Sequence, residues 1–313
     1  MGDLGMATKI KAKKNGVAVK TAPQTYEDGH PLDAVQYLEC KLILKPDRFD
    51  SMRGFYEFND LVREAASKIK KLTYIPLDLK GKRPNMREVR FLDTADFRLY
   101  NNAYILRRRV PYQDGFPVAD PEIVFKYREA DPKKAAQADV RPRIAGKYRI
   151  KFKAEALPLK DEVGGYRLLF SHNVQFPMSS VHVANRRSLQ TIADGLPLLR
   201  GLIGTQEGEV ELVNHTLVEE VLLDLGTFNF GKGVTADANI ALWRSLADHN
   251  VMCGEFAYEL KFANKDDVAV AQRERAEQLF ITLQLIGQNW LALGTTKTGL
   301  VYRMNGNPPQ NHE

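Results

Sequence analysis

One pattern constrains this chain more than any other: along its 313 residues, strand-like runs recur in which charged and apolar residues alternate. "YLECKLIL" sets Tyr37, Glu39, Lys41 and Ile43 on one face and Leu38, Cys40, Leu42 and Leu44 on the other. "AYILRRRV" brings Arg107 and Arg109 to one face, "EIVFKYRE" Lys126 and Arg128, and "KYRIKFKAE" Arg149, Lys151, Lys153 and Glu155. "LVEEVLLDLG" adds Glu220 and Asp224, and "GEFAYELKF" adds Glu255, Glu259 and Lys261. A period of two belongs to an extended strand whose two faces meet different surroundings. The connections are mostly short, which favours antiparallel pairing. Eight or more such strands with few helices point to a β-rich barrel or sandwich with helices packed outside.

Which face looks inward is open at this level. In an ordinary half-buried strand the apolar side fills the core and the charges meet water. In the alternative, the charges line an enclosed interior and helices cover the apolar outside. Two amphipathic segments can supply that cover. One is expected over 54–73, with Phe58, Leu61, Val62, Ala65, Ile69 and Leu72 on a stripe; the other over 265–291, with Val268, Leu279, Leu283, Ile286 and Trp290. Enclosed charge must be balanced, because unpaired buried charge is costly. Lysine and arginine outnumber acids on these faces, so a polyanionic ligand would complete the balance and a divalent cation would suit the acids.

The net charge of +6 and a pI of about 9.1 favour anionic partners. Residues 1–32 read as a disordered basic arm, 33–292 as one domain and 293–313 as a loose tail. The N-terminus lacks the apolar stretch of a secretory signal, and no run of the chain is apolar enough to span a membrane. Cys40 and Cys253 read as small buried hydrophobes in a reducing compartment. A cytoplasmic location is expected.

"FLDTADFRLYNNAYILRRR" resembles the Tyr/Phe-Asp-Thr, spacer, Leu-Arg-x-Arg signature of the CYTH family, or triphosphate tunnel metalloenzymes. "YLECKL" stands where that family has Glu-x-Glu-x-Lys, "VFKYR" and "KYRIKFKAE" where it has its next charged strands. "VLLDLGTFNFG" resembles its Leu-Asp-x-Gly strand, and "GEFAYELKF" its Glu-x-Glu-x-Glu-x-Lys strand. The order is preserved over roughly residues 33–292. The resemblance implies an α+β fold: an eight-stranded antiparallel closed β-barrel, or tunnel, with a charged interior and helices packed outside. It implies a metal-dependent triphosphatase acting on tripolyphosphate, ATP or a similar triphosphate. Lys41, Arg107, Arg109, Lys126, Arg128, Arg149, Lys151 and Lys261 would bind the triphosphate, with Lys41 and Glu259 catalytic. Glu39, Asp224, Glu255 and Glu259 would hold Mg²⁺ or Mn²⁺.

Two positions depart from the family pattern. Tyr37 stands at the first glutamate of the first strand, and Ala257 between Glu255 and Glu259 in the last. The loss of two carboxylates weakens a site built of oxygen donors and keeps two alternatives in view. One is a cyclase or polyphosphate-handling enzyme of the same superfamily. The other is a noncatalytic binder of polyphosphate, nucleotide or RNA. RNA is the less favoured of these ligands, because Tyr148 and Phe152 alternate with the basic residues and do not share their face. No membrane partner is expected. Asp93 and Thr94 read as caps of the short helix that follows them.

Overall fold

The computed structural model describes residues 24–180, 187–204 and 208–305. The expected basic arm lies outside the described residues as far as residue 23. Residues 24–32 belong to a small unit of their own, where Thr25 bridges Pro31 and the Tyr26 amide donates to the His30 carbonyl. Among the described residues no helix is long and apolar enough to cross a membrane.

From residue 33 the chain forms a second unit. Its first half runs β1 (Tyr37–Leu44), α1 (Met52–Ser67), β2 (Thr73–Pro76), β3 (Asn85–Thr94), α2 (Arg98–Asn101), β4 (Tyr104–Gln113), β5 (Phe116–Pro117), β6 (Glu122–Glu129) and α3 (Pro132–Gln137). Then come β7 (Arg149–Pro158), β8 (Tyr166–Pro177), β9 (Arg187–Ser188), α4 (Leu189–Gly195), β10 (Glu209–Gly231), β11 (Val234–Ser245), β12 (Val251–Lys261), α5 (Val270–Ile286) and α6 (Lys297–Tyr302). Among the described residues nine strands close a ring in the order β10-β11-β12-β1-β7-β8-β6-β4-β3 and back to β10. β2, β5 and β9 add short pairings to ring strands.

The closed barrel with outer helices is the architecture the family resemblance implies, with one strand more and one parallel pair, β1 with β7. The reason lies in the connection 130–148. It carries α3 and returns the chain to the end where β6 began, so β7 runs in the same direction as β6. β8 lies between β6 and β7, antiparallel to both, and a closed ring of nine strands that are otherwise antiparallel must have one parallel pair, here β1 with β7.

The apolar faces look outward. Leu42, Phe256, Tyr258 and Leu260 pack under α1 and α5, against Phe58, Val62, Leu279 and Phe280. On another side Leu106, Phe125 and Val174 pack under α4 and the turn after it, against Leu189 and Leu199. Each such side chain contributes about 1.5–3 kcal/mol on full burial. α1 starts where Ser51 accepts from the Arg53 amide. It ends six residues before the expected 73, because Lys71 takes a left-handed conformation (φ 65°) and β2 begins at Thr73. α5 is likewise shorter than 265–291; single 3₁₀ turns flank it at Lys265–Asp267 and Gln288–Trp290. Both cysteines are buried and unbridged, as expected of small hydrophobes.

Two further findings differ from the sequence reading. "EVELVNH" and "LVEEVLLDLG" are one strand, β10, in which Asn214 and His215 both have positive φ (50° and 52°). That kink shifts the pairing with β3 between Leu212 and Leu217 and makes a continuous strand look like two. The segment expected as a loose tail carries α6, with Val301 and Tyr302 fully buried. They sit with Ile43, Val89, Phe91, Ile105 and Trp243, inward-facing residues of the barrel, and so fill one end of it. Residues 306–313 lie outside the described residues.

Asp93 ties this end together. Its Oδ1 accepts from the Thr94 and Leu99 amides (2.7 and 2.9 Å), and its Oδ2 from the Tyr100 amide and the Tyr302 hydroxyl (2.9 and 3.0 Å). Thr94 Oγ1 accepts from the Arg98 amide, so both expected caps serve α2. Burial pushes the Asp93 carboxyl up to about 6 despite these bonds. Hydrogen bonds to a charged group contribute about 1.5–3 kcal/mol each, so Asp93→Ala is expected to cost at least about 3 kcal/mol in urea unfolding. A loss below about 1 kcal/mol would show that the clamp between α2 and α6 is not holding this end.

Candidate functional site: a cationic cup inside the barrel

With the apolar faces outside, the alternating charged residues meet in the interior. They line a cavity of about 360 Å³. Among the described residues its walls carry ten cationic side chains and five carboxylates. Thr296, Lys297, Thr298 and Trp243 line it on the side of α6, so the barrel interior is a cup more than a through-tunnel.

Most of the residues singled out in the sequence arrive here. Lys41 and Glu39 come from β1, Arg107 and Arg109 from β4, Lys126 and Arg128 from β6, Arg149 and Lys151 from β7, and Glu255 from β12. Glu259 does not line the cavity; it lines a separate groove and touches the network through a hydrogen bond from Lys153. Asp224 and Lys261 do not arrive. Asp224 is exposed, just before the register shift that ends at Gly226, and Lys261 is exposed at the end of β12 beside a separate groove. Alternation extended to the last charged residue of a strand overreaches where the strand bulges or leaves the barrel. Arg108 points outward beside Glu88 and Arg90.

Several lining residues escaped the sequence reading. Arg87 shares the inward parity of Val89 and Phe91 on β3, a signal that was available. Glu122 opens β6. Asn173 and Gln175 come from β8, whose sequence has no clean alternation. Lys297 comes from a helix that alternation does not reveal. Glu220, which could have been solvated, is 2% exposed.

The charges form two networks. In the first, Lys41 Nζ lies 2.9 Å from both Glu39 Oε2 and Glu155 Oε1. Lys153 Nζ lies 3.3 Å from Glu39 Oε1 and also holds Glu259. Lys126 and Arg128 approach Glu155 at 3.8 and 3.5 Å. In the second, Glu220 binds Arg87, accepts from Trp243 Nε1 at 2.8 Å and meets Lys297 at 3.2 Å; Lys297 also meets Glu255 at 2.6 Å. Burial would raise Glu39, yet the Lys41 and Lys153 ammonium groups bring it down to about 2. Burial is likewise overcome at Glu155 by Lys41, Arg128 and Lys126, and at Glu220 by Lys297 and Arg87; both carboxyls stand well below the usual range.

Of the lining cations that meet no described carboxylate at ion-pair distance, Arg149 is exposed and Lys151 half-buried, while Arg107 is buried. Burial and the neighbouring Arg109, Arg87 and Arg128 lower its pKa well below the usual value. Lys126 is lowered too, first by burial and further by Arg107 and Arg128, although Glu155 opposes this. The cup therefore holds positive charge that its own carboxylates do not neutralise. An anion with several oxygens would do so, and planar guanidinium groups suit such oxygens.

The arrangement fits a divalent cation poorly. Glu39 is in register with Glu155 on β7 and with Glu259 on β12, so three carboxylates form a row across three strands. Between Glu39 and Glu259, however, sits the ammonium of Lys153, and between Glu39 and Glu155 that of Lys41. Glu255 is engaged by Lys297, and Asp224 is elsewhere. Among the described residues no three Asp, Glu, His or Cys side chains gather as a metal would require. A hard dication needs about six oxygen ligands.

No family model and no curated protein matches the chain. Among solved structures it is similar to a candidate adenylyl cyclase from Hippeastrum with a dominant triphosphatase activity, at 12% identity and a TM-score of 0.38, covering 88% of this chain and 98% of that one. It is similar to a candidate adenylate cyclase from Bacillus halodurans at 11% identity and a TM-score of 0.36, covering 84% and 95%. It is also similar to the RNA triphosphatase of S. pombe in complex with the Spt5 CTD, at 14% identity and a TM-score of 0.25, covering 84% and 77%.

Proposed function

We propose that this chain, which has the closed charged barrel of the triphosphate tunnel proteins its motifs resemble, binds a triphosphate-bearing small molecule in the cup and hydrolyses it. The observation that carries the reading is the enclosed excess of ten cations over five carboxylates, with Arg107 buried beyond ion-pair reach of any described carboxylate. Phosphoryl transfer is catalysed mainly by positioning and by neutralising charge on phosphate oxygens. Arg107, Arg109 and Arg87 project from the adjacent strands β4 and β3, and Lys126 from β6 beside them. Together they would hold the oxygens from one side, while Lys41, Lys151 and Lys153 face them from β1 and β7.

A second reading, a binder without turnover, is favoured by two positions. The Tyr37 ring stands where the family pattern has a glutamate, with Lys151 and Lys153 over it at 5.4 and 5.6 Å. Ala257, in register with Lys41, offers no carboxylate at all. Incubation with tripolyphosphate and with ATP separates the readings. Hydrolysis predicts orthophosphate that disappears in Lys126→Ala. Cyclic AMP with pyrophosphate would replace hydrolysis by cyclisation. Binding without any product would leave the binder, and absence of binding would overturn both readings.

A further inference from the structure

Resting on the cup being a triphosphate site, we infer that the ammonium groups of Lys153 and Lys41 stand where a divalent cation would bridge the row of carboxylates, so that the ligand is taken up without a metal. Glu155, Glu39 and Glu259 are register neighbours on β7, β1 and β12 and so form the row of carboxylates along which a dication would have to bind. Each gap in the row is already filled. Lys41 reaches two carboxylates at 2.9 Å, and Lys153 joins Glu39 to Glu259.

Lys153 is held from below as well as from the sides. Its ammonium lies 5.6 Å from the centre of the Tyr37 ring, a position that attracts a cation. A glutamate at 37 would be a further oxygen donor; the tyrosine instead seats the lysine. An entering dication would have to displace this ammonium from two carboxylates and an aromatic face. It would also enter a cavity whose wall charges already sum to an excess of cations. The same excess can neutralise a polyphosphate directly, which removes the electrostatic need for an ion.

The test uses the whole protein. Mn²⁺ is titrated into the ligand-free protein and its free EPR signal followed, for wild type and Lys153→Ala. Separately, calorimetry measures tripolyphosphate binding to wild type in EDTA and in Mg²⁺. Wild type is expected to leave the Mn²⁺ signal unchanged and Lys153→Ala to reduce it, with the low affinity, about millimolar, of a carboxylate pair. Tripolyphosphate is expected to bind in EDTA at least as tightly as with Mg²⁺. Uptake of Mn²⁺ by wild type overturns the inference, whether or not the variant folds. So does binding that is tighter with the ion by about tenfold, or 1.4 kcal/mol. Failure to bind tripolyphosphate under either condition overturns the triphosphate reading instead, and the Mn²⁺ titration still decides the role of Lys153.

Discussion

Arg107→Met is expected to weaken tripolyphosphate binding while making the ligand-free protein more stable. The two effects have one cause. The guanidinium is buried in the wall of the cup beside Arg109 and Arg87, beyond ion-pair reach of any described carboxylate, so in the empty protein only the longer-range attraction of Glu220 offsets the desolvation of its charge. Even a buried ion pair replaced by well-packed apolar residues of similar volume is often neutral or stabilising by about 1–4 kcal/mol, and Arg107 has no pair to lose. A polyanion that reaches Arg107 releases this penalty. Truncating one partner of a buried, hydrogen-bonded charge pair costs about 2–5 kcal/mol, so the dissociation constant should rise by about 30-fold or more. Calorimetry and urea unfolding on the same preparation read both quantities. A variant that loses stability and keeps its affinity would show that Arg107 has a protein partner and no role in binding.

Glu155→Gln should have the opposite effect on the empty protein. Glu155 is fully buried, and Lys41 from β1 and Lys126 and Arg128 from β6 converge on it. Removing its charge leaves these cations facing one another, and breaking a buried pair in this way costs about 3–5 kcal/mol. The pH dependence follows from the same network. The folded-state pKa of Glu155 and of Glu220 is well below the usual range, and that of Glu39 is about 2. In the unfolded chain a glutamate titrates near about 4.3. A depressed carboxyl stabilises the fold fully above the unfolded value, and that contribution is lost as pH falls through the folded one. Wild-type stability should therefore drop steeply as the pH is lowered from about 4.3 towards about 2, and Glu155→Gln should flatten part of that fall. Urea midpoints across this range decide it; identical slopes for both proteins would remove Glu155 from the network.

The site was legible wherever alternation was clean. β1, β4, β6 and β7 each show it over several residues, and their charged residues Lys41, Arg107, Lys126 and Lys151 all face the cavity. It failed at Asp224, which is exposed beside a register shift inside β10, and at Lys261, which is exposed at the end of β12. It failed again where the contributing segment has no period of two. Lys297 comes from a six-residue helix, and its place beneath Glu220 and Glu255 depends on Val301 and Tyr302 filling the barrel end.

Alternation alone determined that this chain makes strands with one ionic and one apolar face, because a period of two allows nothing else at that length. It also determined that helices were available to cover the apolar faces. Which face turned inward was decided only by the closed ring, since the same sequence pattern suits both options until α1, α4 and α5 occupy the outside. The pairing of charges was decided there too. Lys153 meets Glu39 and Glu259 because β7 lies parallel to β1 and β12 antiparallel to it, and such neighbours across strands have no trace in the order of residues along the chain.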